Sequence, residues 1–106
     1  MKSIVNLYFD YWNNHNIDDL RRLFDDSVIL EDWENSFVGI EEVLQENNNI
    51  FKNFPKVRAL ITDLGFSENN AFAKIKVFLE EDNVIDVIDT FEFKNDKIIK
   101  IKAYKG

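Results

Sequence analysis

The sequence predicts an α+β domain in which helices come first and an antiparallel sheet follows. Three observations lead there. Apolar residues recur at helical spacing in the first half of the chain, and they alternate with polar residues in the second half. The alternating segments are joined by turn-rich links too short for parallel crossovers.

Ile4, Leu7, Tyr8 and Tyr11 form one helical stripe, and Val5, Phe9 and Trp12 form a second beside it, so the first helix is expected to bury more than one face. Asn13-Asn14-His15-Asn16 ends that helix, and Asn16 is placed to cap a second one. Asp19 in its first turn suits the positive end of the helix dipole, and Leu20, Leu23 and Phe24 supply its apolar stripe. Asp25-Asp26-Ser27 reads as a turn before a short strand over Val28-Ile29-Leu30-Glu31-Asp32-Trp33. After Gly39, the apolar residues Ile40, Val43, Leu44, Ile50 and Phe51 predict a third helix that stops before Pro55 and is weakened at Asn47-Asn48-Asn49.

Four strands are predicted next: Val57 to Phe66, Ala71 to Glu80, Val84 to Phe93 and Lys97 to Tyr104. In the second of these, Ala71, Ala73, Ile75, Val77 and Leu79 share a face opposite Lys74 and Lys76. In the last, Ile99, Ile101 and Ala103 oppose Lys100 and Lys102. One face of the sheet is therefore internal, and the helices are expected to cover it.

Composition bounds the function. A chain of 106 residues, 45% of them hydrophobic and with ten Phe, fills one core, so residues 1–106 are expected to form a single domain. A net charge of −7 repels a phosphate backbone, which argues against nucleic acid as a partner. With no cysteine and one histidine there is no metal-ligand spacing, and no glycine-rich phosphate loop occurs, so neither metal nor cofactor is expected. No apolar run has the length of a signal peptide or a membrane span, and a cytoplasmic protein without membrane contact is expected.

One residue is out of place. Strand parity puts Ile85, Val87, Asp89, Phe91 and Phe93 on one face, so a carboxylate interrupts an apolar row. A lone buried carboxylate is costly, and Asp89 must be paired, protonated or facing a cavity, unless a twisted or edge strand carries it to water. Asp32, beside Glu31, reads by default as a solvated loop acid, with a catalytic role as the minority reading, and Tyr8 reads as a core aromatic. His15, in a polar turn, reads as a surface residue and cap partner.

The stretch from Tyr8-Phe9-Asp10-Tyr11-Trp12-Asn13 to Leu23-Phe24-Asp25-Asp26-Ser27-Val28-Ile29-Leu30-Glu31-Asp32 resembles the opening of the nuclear transport factor 2-like superfamily, in its ketosteroid isomerase and SnoaL-like branch. Val87-Ile88-Asp89-Thr90-Phe91-Glu92-Phe93, with Lys97 to Ala103, resembles that branch's final hairpin. The resemblance implies a cone-shaped, cystatin-like fold of three helices on a curved, mainly antiparallel sheet. It further implies Asp32 as general base, Tyr8 and a neutral Asp89 as hydrogen-bond donors to an enolate oxygen, and Trp12, Trp33, Phe91, Ile101 and Ala103 as ligand contacts. That division of labour is the one described for ketosteroid isomerase itself. A small hydrophobic carbonyl compound is the implied ligand, bound either for proton transfer or without catalysis. A homodimer is also implied, through the outer sheet face with Phe72 and Phe78 between Lys74 and Lys76. Two departures argue against a steroid. Asn47 stands where a typical steroid isomerase has another pocket tyrosine, and Trp33 follows Asp32 directly and is expected to narrow the cavity.

Overall fold

The computed structural model describes residues 2–106, so Met1, the first residue of the expected domain, lies outside the described residues. Helices α1 (Lys2–Asn13) and α2 (Ile17–Leu23) precede strands β1 (Phe24–Glu31) and β2 (Ser36–Val38). Helix α3 (Ile40–Asn53) then leads to β3 (Arg58–Phe66), β4 (Asn70–Glu80), β5 (Asn83–Lys94) and β6 (Lys97–Lys105). The sheet is six-stranded in the order β2-β1-β6-β5-β4-β3, with β1 parallel to β6 and every other neighbouring pair antiparallel. The three helices cover its concave face, and a core that includes Val5, Phe9, Leu20, Val28, Val43, Ile75, Phe91 and Ile98 lies between the layers. No described helix is long and apolar enough to cross a membrane.

Local chemistry accounts for most boundaries. Asn16 caps α2 by accepting the backbone N–H of Asp19 at 3.1 Å, as expected. The Asn95-Asp96 turn between β5 and β6 has φ of 52° and 61°, the left-handed pair that a tight hairpin needs and that Asn and Asp tolerate.

Four differences from the sequence-based expectation have physical causes. In α1 the buried face is Val5, Tyr8, Phe9 and Trp12, while Leu7 is exposed, because the helix turns its second stripe to the sheet. Asp25-Asp26-Ser27 has the side-chain bonding of a turn, with Ser27 N–H donating to Asp25 Oδ2 at 3.0 Å, but β1 absorbs it as an irregularity between Phe24 and Ile29. In β6 the pairing slips between Phe93↔Ile98 and Glu92↔Lys100, so Ile98 rather than Ile99 is enclosed with Ile101. Helix α3 is continuous through Asn47-Asn48-Asn49, because Asn47 is buried and bonded rather than solvated. The short edge strand β2 had no counterpart in the predicted elements.

Candidate functional site

On the concave face, Asp89 pairs with Ala73 of β4 on one side and Ala103 of β6 on the other. Both neighbours end at Cβ, so the row containing the carboxyl is the shallowest in this part of the sheet. The adjacent row is Ala71, Phe91 and Ile101, and its bulk closes the floor. The parallel register of β1 on β6 ends at Leu30↔Ile101 and Glu31↔Lys102. Asp32 follows directly, just past the last paired residue of β1.

Tyr8 reaches this face from α1. Its ring packs edge-on against Phe91 at 5.4 Å and against Phe9 at 5.0 Å. Tyr8 is 5% exposed and Asp89 8%. Among the described residues neither side chain has a hydrogen-bond partner, although every fully enclosed side-chain nitrogen or oxygen there is bonded. The Tyr8 and Asp89 oxygens therefore retain a narrow opening to space beside the protein atoms. Burial raises the Asp89 carboxyl from its ordinary 3.8 to about 7. Burial also holds the Tyr8 hydroxyl well above its usual value, and the charge of Asp89 adds to that effect. The two groups are electrostatically close, and below neutral pH each carries a proton it can donate.

Asp32 is set differently. It follows β1 in a turn where its Oδ1 accepts the backbone N–H groups of Glu34 and Asn35, both at 2.7 Å, and its own N–H donates to the Asn35 carbonyl at 2.9 Å. One carboxyl oxygen is committed to the turn and the other is left over. Glu46 of α3 feels the negative charge of Asp32, which together with partial burial raises its pKa, with burial the larger cause.

The structure brings Tyr8 onto Phe91 and near Asp89, with Ile101 enclosed beside Phe91 and Ala103 half-buried at the flank of Asp89. Trp12 packs instead on Phe51 and Asn47 of α3, and Asp32 lies in the turn after β1. Trp33 stands apart: its ring is 45% exposed, with Lys105 Nζ 5.9 Å from its centre. Three surface clefts of about 870, 460 and 400 Å³ lie elsewhere, and none of them is lined by Tyr8, Asp32 or Asp89.

Asn47 is a residue whose bonding sequence reasoning missed. It is 3% exposed, accepts the Trp12 indole N–H at 2.9 Å and donates to the Val43 carbonyl at 2.9 Å. Its spacing, four residues after Val43 and four before Phe51, already placed it on the apolar stripe of α3. His15 is no free surface residue either. It stacks on Phe51 at 4.2 Å, and its Nε2 lies 2.8 Å from the Val57 carbonyl.

A helix-covered, curved sheet with a tyrosine and a buried carboxyl on its concave face defines a class, the nuclear transport factor 2-like and ketosteroid isomerase-like fold, and comparison with known proteins places the chain within it. The model of the SnoaL-like domain family matches residues 5–101, and the chain belongs to that family. No curated protein matches it by sequence. Among solved structures it is similar to a Sinorhizobium meliloti protein provisionally named a polyketide cyclase, with a TM-score of 0.89, 20% identity, and coverage of 97% of this chain and 94% of that one. A Kribbella flavida protein provisionally named a ketosteroid isomerase gives a TM-score of 0.86 at 16% identity, covering 98% of this chain and 76% of that one. A Catenulispora acidiphila protein with a ketosteroid isomerase-like fold, solved with trimethylamine, gives 0.84 at 14% identity, covering 95% and 83%. At these identities the likeness shows the fold alone.

Proposed function

We propose that this protein is a ketosteroid isomerase-like enzyme that moves a proton next to the carbonyl of a small hydrophobic compound. The observation that carries the proposal is Asp89: a carboxyl enclosed by apolar side chains, without a hydrogen-bond partner among the described residues, flanked by two alanines and placed beside an equally unpartnered tyrosine. Two neighbouring groups that carry protons suit an oxygen that gains charge during reaction, and in an apolar surrounding such bonds strengthen as the charge develops. Asp32, with its free oxygen, is the base that takes the C–H proton and returns it elsewhere. Polyketide cyclase and ketosteroid isomerase, the provisional names of two structural neighbours, both denote chemistry at carbon beside a carbonyl, which is consistent with this assignment. A homodimer through the outer face, where Phe72, Ile88 and Tyr104 are exposed, belongs to the same proposal and is checked by sedimentation.

The test is solvent deuterium exchange into small β,γ-unsaturated ketones. Wild type is expected to exchange them, and Asp32→Asn to lose about 100-fold or more of that rate, as removal of a general base does. Equal inertness of both proteins across a ketone panel would refute the enzyme. One observation favours a second reading, ligand binding without catalysis: the Asp32 oxygen that caps Glu34 and Asn35 serves the turn, whatever the other oxygen does. Binding of ketones without exchange would establish that reading.

A further inference from the structure

The sheet has two free edges of unequal length: β2 is three residues long, whereas β3 runs for nine, from Arg58 to Phe66. A long edge strand is a template for another chain, because alternate residues point their N–H and C=O groups away from the sheet. The sequence of β3 sharpens that hazard. Ala59-Leu60-Ile61-Thr62-Asp63-Leu64-Gly65-Phe66 is rich in apolar residues, carries one charge and contains no proline. Leu60 and Phe66 are both exposed on this strand.

Side chains occupy the outward groups one after another. Asn13, the last residue of α1, donates to the Ala59 carbonyl at 2.9 Å and accepts the Ala59 N–H at 2.7 Å. One amide side chain thus supplies both bonds that a neighbouring strand would supply. Two residues earlier, the Val57 carbonyl accepts from Nε2 of His15 at 2.8 Å, and the His15 ring is held in place by stacking on Phe51. Past Ile61 the pairing with β4 slips, and the Thr62 hydroxyl bonds to the Lys74 carbonyl at 3.1 Å. An irregularity of this kind twists an edge away from a straight partner. Beyond it, the Leu64 N–H is taken by Oδ1 of Asp63 at 3.0 Å. Between these caps stands Ile61, which alternation turns outward like Ala59 and which no side chain bonds among the described residues.

We propose that Asn13 acts as a substitute strand that closes the β3 edge against a second copy of this chain. Without it, Ala59 and Ile61 present two successive outward N–H and C=O pairs, a start for an antiparallel ladder with β3 of another molecule. Such a contact is self-complementary, each copy giving the other what Asn13 gives Ala59. Asparagine suits the place because its amide carries a donor and an acceptor on one planar group, whereas Asp lacks the donor and Leu lacks both. The edge is distinct from the outer sheet face, and its closure does not depend on the reaction assigned to Tyr8, Asp32 and Asp89.

Amide hydrogen exchange of the wild-type protein reads the cap directly. Ala59 and Ile61 face the same way on the same edge, so the Ala59 N–H is expected to exchange about tenfold more slowly than the Ile61 N–H, or slower still. Self-association reads the consequence. In sedimentation at matched concentration, Asn13→Leu is expected to associate about tenfold more strongly than wild type, with Asn13→Asp between the two. Val28→Ala, which loosens the core under β1, controls for association that comes from a weakened fold and should behave as wild type. Adding Leu60→Lys, a charge on the exposed flank of β3, is expected to abolish the association of Asn13→Leu. Equal exchange of Ala59 and Ile61 would overturn the proposal whether or not the variants fold. So would association of Asn13→Leu that is no stronger than that of Val28→Ala, or that Leu60→Lys leaves unchanged.

Discussion

Asp89 and Asp32 are the same side chain at two places in the fold, one inside β5 and one just past the end of β1, and the protein treats them in opposite ways. Asp32 is half-buried in a turn that supplies two backbone donors to one of its oxygens. Asp89 is enclosed between alanines, above Phe91, with no donor among the described residues, and burial alone brings it to about 7. In the proposed reaction the enclosed carboxyl donates and the turn-bonded, more accessible one accepts. The lesson is that placement in the fold, rather than residue type, separates the two carboxyls.

Substitutions can break or sharpen that contrast, and the largest expected effect is at Asp89. Its native pKa lies above the ordinary 3.8, so between 3.8 and about 7 the folded protein holds a proton that the unfolded chain has released. Stability due to this group is therefore full below pH 4, falls as pH rises through that window, and is flat above it. Asp89→Asn, which copies the neutral form, is expected to match wild type at pH 4 and to exceed it by about 4 kcal/mol at pH 8, because the carboxyl titrates near 3.8 unfolded and near 7 folded. Urea unfolding of both proteins across that range checks it, and their difference cancels the other carboxylates. The corresponding change in the turn after β1, Asp32→Ala, is expected to cost only about 1 kcal/mol, because it removes turn hydrogen bonds near water.

Between these stands Asn47→Ala, which strands the buried Trp12 indole N–H and should cost about 2 kcal/mol in the same assay. Smallest is Tyr8→Phe. The hydroxyl has no partner among the described residues, so its loss should change stability by less than about 1 kcal/mol while weakening ketone binding. A large loss of stability in Tyr8→Phe would mean that the hydroxyl serves the fold.

Much of this contrast was legible in the sequence. Alternation along Ile85, Val87, Asp89, Phe91 and Phe93 put the carboxyl on the internal face, and the helix stripe put Tyr8 toward the core. The SnoaL-like family and the α+β fold followed from motifs at both ends of the chain. What was not legible depended on partners far away in sequence or on a slipped register. The irregularity at Ile99 exchanged which residue of β6 points inward, and no periodicity announces it. Asn47 looked like a helix breaker because its partner, Trp12, is 35 residues away. The Asp32 turn had a signal that went unread, since an Asp followed three residues later by Asn is turn-forming chemistry. Trp33, expected to contact the ligand, is exposed, with Lys105 of β6 beside its ring.

The central claim is that Asp89, enclosed by apolar side chains, keeps its proton up to near-neutral pH. Carbon NMR of the aspartate carboxyls, with Asp89 identified through Asp89→Asn, measures it directly. The account predicts a midpoint for Asp89 near 7. A midpoint near 4, the ordinary value for a solvated aspartate, would contradict it.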